Sequence, residues 1–337
     1  MTQTRYDVLA IGNAIVDVIS DADDAFIDAQ NLNKGGMTLI DADRAQSLYD
    51  AMGPGREISG GSAANTLAGL ARLGHKTAFI GQVAQDQLGD VFAHDIRATG
   101  IDFDVPARPG QPPTARCLIL VTPDAQRTMN TFLGASQFLP AQLIDPELIQ
   151  SAAILYLEGY LWDPEEPRAA MRTAIDLARA AGRKVALTLS DAFVIARHGP
   201  DFLAEMEAGR IDILFANEVE ITALAGTEDF EAAVAQIAAK VPLLVCTRGE
   251  HGAIAVQGGE RVEVSAEPVT RLVDTTGAGD LFAAGVFAGL AEGRSLKDCL
   301  TMGAVCAAEV ISHYGARPEA DIRKLVDGRL VDTPLDA

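Results

Sequence analysis

The segment DTTGAGDLFAAG, Asp274 to Gly285, sets Gly277, Ala278 and Gly279 directly before a carboxylate, Asp280, where a run of small and apolar residues suits a helix. Backbone N–H groups with little side chain around them can converge on an anion at such a helix start, and the helix dipole favours the negative charge. A carboxylate beside an anion hole is electrostatically awkward unless it handles a proton. Transfer of a phosphoryl group to an alcohol needs both devices: a base for the hydroxyl proton, and N–H groups for charge on the transferring oxygens. A glycine turn closed by an aspartate is also good helix capping, and the segment alone leaves both readings open.

Other residues are spaced as partners for this chemistry. Asn13 and Asp17 follow the first strand-like run, and Gly60, Gly61 and Asn65 stand at the entry to a helix in GGSAANTLAG. An amide and a carboxylate at strand ends can bond vicinal hydroxyls, while paired glycines let backbone approach a ring, which describes a polyol or ribose pocket. Turn chemistry is the commoner role of each residue singly. NEVEITAL offers Asn217, Glu218 and Glu220 at another helix start, oxygen ligands that suit Mg²⁺, although in isolation capping is the stronger reading. Arg127 and Arg248 are candidates to neutralise phosphate oxygens in an acidic chain, or simple surface ion pairs. No GxxxxGK with Ser or Thr, no GxGxxG after the first strand, no HExxH, EF-hand loop or GxSxG occurs, and the five histidines share no metal-ligand spacing.

These residues need a frame, and the pattern of the chain supplies one. YDVLAIG, TAFIG, AAILYLEG, KVALTLS, IDILFAN and PLLVCTRG read as strands, and runs with apolar residues at helical spacing lie between them. That alternation predicts a mostly parallel sheet covered by helices on both faces. Residues 14–42 and 103–134 break the rhythm, and both read as insertions pairing into a small β-sheet, a lid over the crevice at the strand ends. The 337 residues are read as one α/β domain with these discontinuous lid segments. Aromatics make up only 5% while 48% is hydrophobic, which suits aliphatic strands under alanine-rich helices. A net charge of −20 repels polyphosphate backbones and argues against nucleic-acid binding. The four cysteines sit apart in apolar company, as reduced thiols. The N-terminus has neither a basic leader nor an unbroken apolar run, so no membrane association and a cytoplasmic location are expected.

Taken in order, the segments resemble the ribokinase-like family of carbohydrate and nucleoside kinases, the PfkB family, over essentially the whole chain. GGSAANTLAGLARLG and DTTGAGDLFAAG carry its two patterns, NEVE matches its NxxE motif, and CTRGEHGAI, with Thr247, Arg248, Gly249 and Gly252, is similar to its nucleotide-proximal strand and turn. The resemblance implies a three-layer αβα sandwich and ATP-dependent transfer to a hydroxymethyl group. Asp280 would be the base and Gly277 to Gly279 the anion hole, with Thr276 beside ATP. Asn217 and Glu220 would organise Mg²⁺ through water, and Asn13, Asp17, Gly61 and Asn65 would hold sugar hydroxyls. The resemblance also places a monovalent cation, potassium, at the loop of Asp274 and Thr276.

Within the family, GNAIVDVISDADDAFIDAQNLNKGGMTLID looks like the adenosine kinase branch. Arg127 falls where that branch has a lid arginine. YLEGYLW, with Glu158 and Tyr160, falls where it has part of the base pocket. Met37, Leu39, Cys117, Phe132, Tyr160 and Trp162 are the apolar surfaces available to a purine; Met37 and Thr38 depart from the eukaryotic pattern. The leading expectation is a kinase making AMP from adenosine and ATP. A sugar kinase of the same fold is the alternative, followed by a silent ligand-binding homologue, which would have no need of Asp280. The branch favours a monomer over a homodimer.

Overall fold

Along the first strand, Val8 and Ala10 enter one apolar layer and Leu9 and Ile11 the other. Successive side chains of a strand point to opposite faces, so a strand whose apolar residues alternate between two layers is covered on both. A computed structural model of the chain describes residues 4–330, Ala125 apart.

The strands are β1 (Tyr6–Ile11), β2 (Ile15–Asp21), β3 (Met37–Leu39), β4 (Arg56–Gly60), β5 (Thr77–Ile80), β6 (Ile101–Asp102), β7 (Ala115–Val121), β8 (Arg127–Phe132), β9 (Ala152–Glu158), β10 (Lys184–Thr188), β11 (Ile213–Asn217), β12 (Leu243–Thr247), β13 (Ala253–Gln257) and β14 (Glu260–Val264). Nine form the large sheet in the order β14-β13-β12-β11-β10-β9-β1-β5-β6. It is parallel from β6 to β12, with β13 and β14 added antiparallel at one edge. Helices Ser62–Arg72, Ala278–Ala291 and Leu296–Val310 cover one face, and helices Glu165–Ala180, Ala192–Glu207 and Phe230–Ala238 the other. The result is a three-layer αβα sandwich.

The remaining five strands form a small sheet, β3-β8-β7-β2-β4. Four come from segments 14–42 and 103–134. The fifth, β4, lies outside both and pairs antiparallel with β2, bringing Gly60 opposite Ile15 and Ile58 opposite Asp17. Its five residues are too few to show a period. RVEVSAEPVTRLV is strand only as far as Val264; the chain then runs irregularly to Gly277, which gives the following helix start a long approach. Among the described residues no helix is long and apolar enough to cross a membrane.

Candidate active site

Because β1 and β9 to β12 run parallel, their carboxyl ends bring Asn13, Glu158, Asn217 and Thr247 to one edge of the large sheet. Asp280 joins them from the first turn of helix Ala278–Ala291. Its Oδ1 accepts from Ser62 Oγ at 2.6 Å and its Oδ2 from Asn65 Nδ2 at 3.1 Å. Burial pushes its pKa up to about 6, against the two hydrogen bonds and the Arg317 charge, which pull it down. Gly277, the N-cap, has φ 77°, and a Cβ there would lie 2.7 Å from the Ala316 methyl, so glycine is required twice over. No side chain caps this helix. The Ala278 N–H turns back to Thr275 O at 3.2 Å, whereas a Cβ on Gly279 would meet nothing within 4 Å: the approach to that peptide is open.

Asn13 and Glu158 are brought together, but onto each other. Glu158 Oε1 accepts from Asn13 Nδ2 (2.6 Å) and Asn13 N (3.3 Å), its Oε2 accepts from Ala63 N (2.9 Å), and Asn13 Oδ1 accepts from Ser136 Oγ (2.8 Å). Both residues are buried, and burial raises Glu158 to about 7. Gly61 lets the chain turn between β4 and helix Ser62–Arg72: its φ is 99°, and a Cβ would meet Asn13 O at 2.2 Å. The carboxylate of Asp17 lies over Gly60, where a Cβ would sit 2.4 Å from Oδ2. It accepts no hydrogen bond from the described residues, and burial raises its pKa to about 6, helped by Asp280 and opposed by Arg317 and Arg127. The Oδ1 of Asn65 is buried without a partner, while Asp17 is half-buried. Two acceptors, Asp17 and Asn65, thus stay unsatisfied beside Asp280, an arrangement that suits a ligand bearing hydroxyl donors.

Register shows which residues of the small sheet share the face of Asp17. Asp17 pairs with Cys117, Cys117 with Thr131 and Thr131 with Leu39; one step on come Ile19, Ile119, Met129 and Met37. Met37 and Leu39 are 48% and 59% exposed, and Cys117 is a buried thiol pushed up to about 12, chiefly by burial. Phe132 does not belong to this face. It pairs with Arg116, whose guanidinium meets Gln46 and Tyr49 of the helix behind the sheet. Strand alternation from Arg127 selects 129 and 131 instead, a signal present in the sequence and missed there. Trp162 is also no pocket wall: it is fully buried, 5.2 Å from the Phe202 ring, with its N–H donated to Asp201. Tyr160 is partly buried after β9, and its hydroxyl is held protonated mainly by burial. Phe193, 76% exposed after β10, was not anticipated; it follows Ser190, a non-glycine residue at φ 68°.

Arg127 reaches across from the small sheet to Asp274 as a buried ion pair. The other Asp274 contacts are Thr276 N (3.0 Å) and Thr276 Oγ1 (2.7 Å) on Oδ1, and Gly315 N (3.0 Å) on Oδ2. Four donors use the roughly four lone-pair sites of a carboxylate. The expected potassium site at Asp274 and Thr276 therefore does not fit: a guanidinium already supplies the positive charge.

The model of the "pfkB family carbohydrate kinase" matches residues 8–323. The chain belongs to the pfkB family. In structure, this pfkB kinase is similar to the adenosine kinase from Sinorhizobium meliloti, with 47% identity, TM-score 0.89, and 96% of this chain and 99% of that one covered. It is equally similar to a probable sugar kinase protein from Rhizobium etli CFN 42, with 45% identity, TM-score 0.90, and 97% and 99% covered. Among curated proteins it is 27% identical over 316 residues to a ribokinase of Arabidopsis thaliana, covering 90% of this chain and 77% of that one. The pfkB kinase is thus an ATP-using phosphotransferase with an alcohol acceptor.

On the side of this kinase expected to hold nucleotide, Asn217 and Glu220 form a reciprocal capping box. Glu220 N donates to Asn217 Oδ1 (2.8 Å), while Asn217 N and Nδ2 donate to Glu220 Oε2 (3.0 Å) and Oε1 (2.7 Å). Burial raises Glu220 to about 7. Thr247 ends β12; beyond it the Arg248 N–H donates to Gly252 O at 2.7 Å and closes a turn through Gly249. The Arg248 guanidinium stacks on Phe230, its carbon 4.5 Å from the ring centre, and its Nε is buried without a partner. No group of three or more His, Cys, Asp or Glu that could hold a metal occurs among the described residues.

Proposed function

We propose that this chain is a nucleoside kinase that moves the γ-phosphoryl group of ATP to the 5′-hydroxymethyl of adenosine. The observation that carries the reading is the apolar strip on the site face of the small sheet, Met37, Leu39, Cys117, Met129 and Ile119. A purine has flat faces to lay against such a strip; a free ketose or pentose presents hydroxyls, which would leave it wet and unpaired. Below it, Asp17 and the Oδ1 of Asn65 accept from the ribose hydroxyls. The 47% identity to an adenosine kinase supports the same choice.

Asp280 takes the 5′-hydroxyl proton, and a pKa of about 6 keeps it ionised near neutrality yet basic enough to accept. The open peptide at Gly279, with its neighbours at the helix start, faces the charge on the transferring oxygens. Arg127, carried by the small sheet and paired with Asp274, ties that sheet to this loop. Asn217 and Glu220 fit a Mg²⁺ held through water, because a buried carboxylate held by only one neighbour gains from a nearby cation. Bound there, the ion would screen the phosphates of ATP.

The second reading is a sugar kinase, favoured by the 45% identity to the Rhizobium etli protein. Purified protein with Mg-ATP and a panel of adenosine, other nucleosides, ribose and fructose separates them. Adenosine is expected to give the highest kcat/KM; a higher value for ribose or fructose overturns the nucleoside assignment.

A further inference from the structure

Three consecutive residues after helix Leu296–Val310 each touch a different part of the site. The Gly315 N–H donates to Asp274, the Ala316 methyl packs where a side chain on Gly277 would stand, and Arg317 reaches to the other glycine corner. Its Nη2 donates to Ser59 O (2.6 Å) and Ser59 Oγ (3.0 Å), and its Nη1 to Ala64 O (3.1 Å). Ser59 is fixed in turn by Asp95, whose Oδ2 accepts from Ser59 N (2.8 Å) and Oγ (2.6 Å). The segment is anchored by Glu309, whose Oε1 accepts from Glu319 N (2.9 Å) and Ala320 N (2.7 Å) and lies 3.1 Å from His313 Nε2.

Between the two anchor points of Arg317 lie Gly60, Gly61, Ser62 and Ala63, and Asn65 follows directly. Ser62 and Asn65 are the residues that hold Asp280. Arg317 is also the cation whose field acts on Asp280, and it acts on Asp17 and Asp95 as well. The other groups facing Asp280 are Asp17 on β2, with Arg127 beside it, Tyr156 and Glu158 on β9, and Tyr160 after it. All of these except Arg127 are acids, so neighbouring carboxylates disfavour the ionised base and Arg317 favours it.

We propose that Arg317 is a positioning residue for the base: it clamps the Ser59–Asn65 corner that holds Asp280 and supplies the charge that lets Asp280 and Asp17 coexist as carboxylates. The inference rests on Asp280 being the base. Nothing in the composition of HYGARPEAD marks this arginine, because the residues it serves lie some 250 positions earlier in the chain.

The test is a set of pH profiles of kcat/KM for wild type, R317Q, R317K and D280N, with thermal midpoints as folding controls. R317Q is expected to move the acid limb upward by about one pH unit, because the base loses its stabilising charge. Its kcat is expected to fall about 10- to 100-fold, with KM for ATP changed by no more than about twofold, as for a displaced base. R317K keeps the charge and the limb, but an ammonium cannot reproduce the fork onto two carbonyls, so kcat stays about tenfold low. A folded R317Q with the wild-type limb and kcat, or a folded R317K with wild-type kcat, overturns the proposal even when D280N is inactive. An active D280N removes the base assignment itself.

Discussion

Helices Glu218–Ala225 and Ala278–Ala291 start at the same edge of the large sheet, and each carries a carboxylate at its third position. Glu220 has an asparagine as N-cap and closes a capping box with it, so all its described hydrogen bonds are local. Asp280 has a glycine as N-cap, a residue with no side chain to answer it, and takes its hydrogen bonds from Ser62 and Asn65, more than 200 residues earlier. Burial raises both, to about 7 and about 6. Position and charge are alike; the partners differ. A carboxylate bound within its own helix caps that helix and is left to meet a cation through water, whereas one held from elsewhere in the chain leaves the Gly279 peptide open and stands ready to meet a substrate.

The widest separation between the two should come from their amides. Asp280→Asn keeps the size and removes the base, and kcat is expected to fall about 10²- to 10⁴-fold with the fold intact. Glu220→Gln should spare turnover at saturating Mg²⁺ and raise the Mg²⁺ concentration needed for half-maximal rate. Steady-state kinetics over a Mg²⁺ series reads both; near-native turnover in D280N would break the comparison at its centre.

The two glycines flanking Ala278 divide the same helix start more finely. Gly279→Ala adds a methyl into space no protein atom fills, so the thermal midpoint should hold while kcat drops about 100-fold, as when an anion-hole donor is blocked. Gly277→Ala forces a left-handed residue against Ala316 and should destabilise by at least about 1–2 kcal/mol, measured by denaturant unfolding. A G279A variant with wild-type kcat would place the anion elsewhere.

How much of this was legible follows the same line. The order of strands and helices and the Asp280 loop could be read because each rests on neighbours in sequence: apolar period, glycine spacing, a carboxylate inside a turn. The capping box of Asn217 and Glu220 was equally local. Contacts closed by the fold gave no such trace. Ser62, Arg317, the grip of Glu158 on Asn13 and the Arg127–Asp274 pair depend on which strand ends meet. Phe132 and Trp162 offer rings to a purine when read from the sequence, but strand parity turns the first away and the Phe202 packing buries the second. Parity would have named Met129 and Thr131 in their place.

Asp17 extends the comparison to a third carboxylate, half-buried and with no hydrogen bond from the described residues. Its pKa is raised from 3.8 to about 6 by burial, so the folded state holds its proton more tightly than the unfolded chain. Between about pH 4 and 6 the folded form therefore binds more protons, and stability from this group falls as pH rises through that window. Above it Asp17 is ionised at a cost that Arg317 and Arg127 only partly offset. Asp17→Asn removes the charge without deleting a protein hydrogen bond. Ligand-free D17N should match wild type near pH 4 and exceed it at pH 7.5 by on the order of 1 kcal/mol, a few degrees in thermal midpoint, while binding adenosine more weakly. A D17N protein less stable than wild type at pH 7.5 would mean that Asp17 has partners within the chain after all, and that the free acceptor beside Asp280 is not held open for a hydroxyl.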